Sequence, residues 1–138
     1  MKLENSIIGE IEVSEEDIIY FPNGIIGFEG YKRFLIVQDQ NFSPFSWLIS
    51  LDKKQFGIPL INPFLLIQEY KKKLPVELIE ELKDNNSKYE VFCVVNLNGE
   101  AGETTINLKG PILIDFFGKT GKQIILTADI LSVSYPLN

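Results

Sequence analysis

The side chains able to do chemistry in this chain are few, and their absence is the first result. There is no histidine among the 138 residues and a single cysteine, Cys93. Without imidazole the usual general base, the commonest metal ligand and every Ser-His or Cys-His pair are missing. One thiol cannot build a zinc cage. Cys93 lies between Phe92 and Val94 in an apolar run and reads as an inert buried residue. Carboxylates are what remain. Glu100 with Glu103, or Asp115 with a neighbour, could flank a glycosidic bond, but that chemistry needs a deep cleft and usually a larger scaffold. Two segments imitate phosphate loops. Gly24, Gly27 and Gly30 recur every third residue, but the spacing is not that of a dinucleotide loop and no helical pattern follows. Phe117-Gly118-Lys119-Thr120 looks like the end of a nucleotide loop, yet the required glycine at position 113 is Leu113. The expectation is a non-enzymatic chain with no cofactor and no metal.

The elements that surround these positions are mostly strands. Ser6–Val13, Asp17–Phe21, Phe34–Asp39, Phe45–Leu51 and Phe56–Ile61 read as short strands separated by Pro, Gly and polar breaks. Asp52-Lys53-Lys54-Gln55 reads as a hairpin turn, and the Gly24–Gly30 stretch as a tight bend with Phe28 plugged inward. Trp47 is read either as a core anchor or as a rim contact. The period then changes. Phe64–Lys73 suits a short helix, and Pro75 opens a second whose Leu74, Leu78 and Leu82 share one face, giving a helical insertion at about 64–84. Lys88–Leu97 is apolar on both faces, as a central strand is. Thr104–Lys109, Ile112–Phe117, Lys122–Thr127 and Ile130–Tyr135 complete the set, with a turn at Gly118–Gly121. So many short strands at close spacing predict a mainly β fold, a compact barrel or two-sheet sandwich, in one domain over 1–138.

Composition fits that picture. A hydrophobic content of 45% and a charged content of 23% are ordinary for a globular chain. The start Met1-Lys2-Leu3-Glu4 does not resemble a signal peptide, and no apolar run approaches the ~20 residues of a membrane span. With one cysteine, the expected home is the cytoplasm. The net charge of −6 is unevenly spread: residues 1–70 carry ten acids and five bases, residues 71–138 nine and eight. Direct nucleic-acid binding is disfavoured. The acids from Glu4 to Asp17 are read either as a solvated strand face or as a surface that steers a basic protein.

Two segments carry a more specific signal. They are Phe21-Pro22-Asn23-Gly24-Ile25-Ile26-Gly27-Phe28-Glu29 and Thr105-Ile106-Asn107-Leu108-Lys109-Gly110-Pro111-Ile112-Leu113-Ile114-Asp115. Each is a strand end followed by a reversal that needs Pro and Gly. Together they resemble the signatures of the flagellar assembly factor FliW family, Phe-Pro-x-Gly-Leu-Pro-Gly-Phe-Glu and Thr-x-Asn-Leu-x-Ala-Pro-Ile-x-Ile-Asn. The likeness continues through Phe45–Ser50, Pro63–Tyr70 and Gly121–Leu126, so it spans nearly the whole chain. Ile26, Gly110 and Asp115 stand where that pattern has Pro, Ala and Asn, and Ile49 where it tends to have Gln.

The resemblance implies a β-barrel-like domain with short inserted helices. It also implies a bacterial cytoplasmic factor that binds flagellin and, in exchange, the translational repressor CsrA, a basic RNA-binding dimer. For the basic partner the expected contacts are Glu12, Glu15, Glu16 and Asp17. For either partner, Phe28, Glu29, Asn107, Lys109 and Pro111 are further candidates. The alternative is a small-ligand barrel whose mouth Trp47 and Tyr70 line.

Overall fold

The computed structural model describes residues 2–6, 8–38, 43–66, 89–97, 104–126 and 135–136. Its strands are β1 (Lys2–Asn5), β2 (Gly9–Glu12), β3 (Ile19–Tyr20), β4 (Arg33–Val37), β5 (Phe45–Ser50) and β6 (Gly57–Ile61). They continue as β7 (Tyr89–Asn96), β8 (Thr105–Ile106), β9 (Ile112–Asp115), β10 (Thr120–Gln123) and β11 (Tyr135–Pro136). The order β7-β6-β5-β4-β3-β10-β9 closes on itself, because β9 pairs back onto β7. The result is a closed barrel of these strands, with β8 and β11 extending from β7 and β1–β2 forming a separate hairpin. Closure removes the open edges that strands rich in Ile and Val would otherwise expose.

Alternation explains the core. Along β4, Phe34 and Ile36 point into the barrel, while Leu35 and Val37 point outward under the β1–β2 hairpin. β7 and β9 are covered on both sides. Phe92, Ile112 and Ile114 pack inside the barrel, whereas Val91, Cys93, Val95 and Leu113 pack outside against Ile106, Leu108 and Leu126. That double coverage is why the β7 and β9 sequences are nearly continuous apolar runs.

Several expectations shift. A hairpin replaces the strand Ser6–Val13: Leu3 pairs with Ile11, and Gly9 takes φ +82, where a side chain is strained. The strand expected at Asp17–Phe21 begins only at Ile19, because Asp17 closes a 3-10 turn over Glu15–Asp17 in which Ser14 accepts from Glu16 N–H and Asp17 accepts from Ser14 N–H. The turn after β9 comes earlier than the sequence suggests. The Asp115 carboxylate accepts from the Phe117 and Gly118 amides and Lys119 adopts φ +57, so β10 already begins at Thr120. Of the helical insertion, only α1 (Pro63–Leu66) is described; Asn62 caps it by accepting from Phe64 N–H. The second helix, the loop at 98–103 and most of the strand Ile130–Tyr135 lie outside the described residues.

The turn at Asp52–Gln55 forms as expected. Ser50 Oγ accepts from the Asp52 and Lys53 amides, and Phe56 N–H donates to Lys53 O. Asp52 also anchors the start of β4. Its carboxylate accepts from Lys32 N–H, Arg33 N–H and Arg33 Nε, and pairs with Arg33 Nη2 at 2.9 Å. Burial alone would raise its pKa. The two backbone amides and the Arg33 guanidinium outweigh that and hold it below the ordinary carboxylate value.

Candidate partner-binding surfaces

The bend between β3 and β4 presents a side chain to solvent rather than storing one. Gly24 and Gly27 take positive φ, at +67 and +88, and a Cβ on Gly24 would collide with the Glu29 backbone. Glycine is therefore required where the loop folds back on itself. Phe28 is not plugged inward. It is 44% exposed and leans on Phe56, with ring centroids 4.5 Å apart, and on Tyr31 at 6.0 Å. Glu29 closes the bend, both its carboxylate oxygens accepting from Gly27 N–H.

The second segment is a bulge. Between the pairs Val95–Ile106 and Phe92–Ile112, three steps along β7 face six on the opposing chain. The extra residues loop out at Asn107–Pro111. Asn107 Oδ1 holds the loop by accepting from the Lys109 and Gly110 amides. Lys109 O and Pro111 O accept from Leu126 N–H and Ile124 N–H, so the loop is paired along its length. Pro111 is buried, and what it offers is its carbonyl.

Gln123 joins the two segments. Its Oε1 accepts from Ile26 N–H at 3.0 Å, and its Nε2 donates to Gly110 O at 2.9 Å. Proline at position 26, as in the family pattern, has no N–H and could not make the first of these bonds. The pinned segments enclose an open groove of about 230 Å³ lined by Ile25, Ile26, Phe28, Ile58, Val94, Asn107, Gln123 and Ile125. Ile26 and Ile125 are each 57% exposed on its rim. Phe28 and Asn107 were expected as contacts and meet here. Ile26, Gln123 and Ile125 were not foreseen; the only hint is a polar residue inside the strand-like run 121–126.

The acidic candidates occupy a different place. Glu12 ends β2, Glu15, Glu16 and Asp17 make up the 3-10 turn, and all four are exposed. Glu12 and Asp17 line a second cleft, of about 380 Å³, which shares no residue with the first. Trp47 lines neither of these clefts; it is half-buried in β5 between Val37 and Pro59, and Tyr70 lies outside the described residues. Among the described residues no cluster of three or more His, Cys, Asp or Glu could hold a metal, and no helix is long and apolar enough to cross a membrane.

Fold and surface thus define a small closed β-barrel whose candidate sites are open clefts on its outside. Comparison with known proteins gives the family. The family model described as FliW protein matches residues 2–137. A flagellar assembly factor FliW of Caldicellulosiruptor bescii is 37% identical over 136 residues, covering 98% of this chain and 89% of that protein. A FliW of Clostridium botulinum strain Okra is 38% identical over 138 residues, covering 99% and 96%. A crystal structure of the flagellar assembly factor FliW superimposes with a TM-score of 0.84 at 30% identity, covering all of this chain and 97% of the other. The chain belongs to the FliW family.

Proposed function

We propose that this chain is a flagellar assembly factor that works by binding proteins, as one domain over 1–138 with the helical insertion at about 64–84. Its relatives carry the name flagellar assembly factor. The observation that carries the reading is the apolar groove. The two segments with the family signatures are pinned together by one glutamine; the first presents Ile26 and Phe28 to solvent, and Ile125, two residues past that glutamine, is exposed beside them. A small soluble surface seldom spends exposed aliphatic and aromatic groups in one place without a partner.

In this reading flagellin lays an amphipathic end-helix in the groove, and CsrA meets the acids at Glu12, Glu15, Glu16 and Asp17. Exchange of one for the other lets the level of free factor report on flagellin export in the cytoplasm, by linked equilibria and without bond-making chemistry. Since the two clefts share no lining residue, exchange works through overlap of the two bound proteins or through coupling between the clefts. β3 links the two places, since it runs from the acidic turn directly into the bend that carries Phe28.

The test is to titrate purified flagellin into a preformed complex of this chain with CsrA. Release of CsrA in step with flagellin binding supports the exchange, and a stable ternary complex overturns it. A small-ligand barrel is the weaker reading, because the apolar groove is smaller than the ~300–1,000 Å³ usual for such sites, and the larger cleft is an open one with Glu12, Asp17 and Lys119 in its lining.

A further inference from the structure

β3 is the thinnest stave of the barrel. It meets β4 only at Phe34 and Arg33, and β10 only at Thr120. Past that contact β4 continues through Leu35, Ile36 and Val37, while the chain before β3 leaves the sheet as the 3-10 turn Glu15–Asp17. The direction of the β4 peptide groups follows from its neighbours. Phe21 N–H donates to Lys32 O and Leu51 N–H donates to Arg33 O. Even-numbered residues of β4 therefore turn their peptide groups toward β3, and odd-numbered ones toward β5. Ile36 aims its N–H and C=O at the place where β3 would continue, and among the described residues nothing bonds them. The cleft of about 380 Å³ lies beside this edge.

The walls of the cleft have two characters. Ile19, Ile36 and Phe116 belong to the cluster inside the barrel, whereas Leu35 and Val37 face the cluster under the β1–β2 hairpin. Glu12 and Asp17 line the cleft together with Lys119, and Glu15 and Glu16 precede Asp17 on the same turn. Among the described residues the acids outnumber the one lining base, so an incoming chain with basic side chains is favoured.

We propose that this edge accepts an extended segment of a protein partner as an added strand, one in which apolar residues alternate with lysine or arginine. Main-chain bonds to Ile36 hold the segment. Its alternate side chains then fall on the apolar interior side and on the acidic outer side. The inference rests on the reading that this chain acts through bound proteins, but it is judged separately. Displacement of CsrA by flagellin tests that reading, and a model peptide tests the edge.

The probe is a short synthetic peptide alternating valine and lysine, added to the full chain. It has two companions, one with alternate backbone amides N-methylated and one with glutamate in place of lysine. Amide hydrogen exchange followed by NMR reads the edge directly. The lysine peptide should bind and slow exchange at Ile36, and each companion should bind about tenfold or more weakly. Of the backbone bonds of β4, Ile36→Pro removes only the outward N–H and keeps the pairing with β5, so it should abolish peptide binding in a folded protein, whereas Ile36→Val, which trims the same core side chain and keeps the N–H, should retain it. Binding that ignores N-methylation, or protection that misses Ile36, overturns strand addition even if the proline variant fails to fold. A doubling of mass with Ile36 protected in the absence of peptide assigns the edge to a second copy of the chain and also overturns the proposal.

Discussion

Replacing Gln123 by alanine should test whether the two signature segments depend on one side chain. The perturbation removes two hydrogen bonds, from Ile26 N–H to Oε1 and from Nε2 to Gly110 O. They are not equivalent. Ile26 is exposed, so water replaces its partner at little cost, and a net bond of that kind contributes about 0.5–1.5 kcal/mol. Gly110 is buried, and an unsatisfied carbonyl there costs about 1–3 kcal/mol. The sum is about 1.5–4.5 kcal/mol, a fall in Tm of roughly 5–18 °C for a domain of this size. Urea unfolding gives the free energy, and flagellin binding measured well below Tm gives the effect on the groove. Binding should weaken in the folded variant because the bend at Ile26–Phe28 loses its tie to the loop at Asn107–Gly110. Ile26→Pro, which removes only the exposed bond, should cost less than Gln123→Ala, and the two together should cost less than their sum. A Gln123→Ala protein within about 0.5 kcal/mol of the parent, with flagellin affinity unchanged, refutes the reasoning, since that is the scatter of substitutions that touch nothing.

Gly121→Ala should destabilise by about 1–3 kcal/mol, because its Cβ would meet the ring of the fully buried Phe21; Phe21→Leu in the same chain should recover part of the loss, and strictly additive urea midpoints would refute the contact. Asp52→Asn should cost about 1 kcal/mol at neutral pH, a modest figure because the ion pair meets water. Since the folded Asp52 titrates below its unfolded value, its contribution is present above about pH 4 and is lost as pH falls through the folded pKa, so the two proteins should converge in acid. A gap between their pH–stability curves that persists in acid would contradict this. On the proposed reading, Glu15→Lys with Glu16→Lys should weaken CsrA binding several-fold at low salt and flatten its salt dependence; an affinity unchanged from the parent's at both low and high salt would remove these residues from the interface.

The mainly β class was legible because its signals are local. Short apolar runs bounded by polar breaks, such as those that form Phe45–Ser50 and Gly57–Ile61, and the turn between them need only a few neighbouring residues to be recognised. The double-faced run Lys88–Leu97 likewise announced a central strand, and β7 does pair with three others. Local reading failed where a short polar group redirects the chain. Ser14 and Asp17 close a 3-10 turn that takes Asp17 out of the strand expected at Asp17–Phe21, and Asp115 starts a turn that the glycines at 118 and 121 place too late.

By itself the sequence determined the inventory: no imidazole, one thiol, an acidic first half and two segments with Pro and Gly at fixed places. Those properties are additive over residues and need no fold. Tertiary structure alone decided that Gln123 reaches Ile26 from 97 positions away and Gly110 from 13, that Phe28 stays exposed, and that the acids and the apolar groove occupy separate clefts. A polar side chain in a strand carries no local mark of its partner. Which one it meets is set by barrel closure and pairing register, and these depend on how strands distant in sequence bury their faces together.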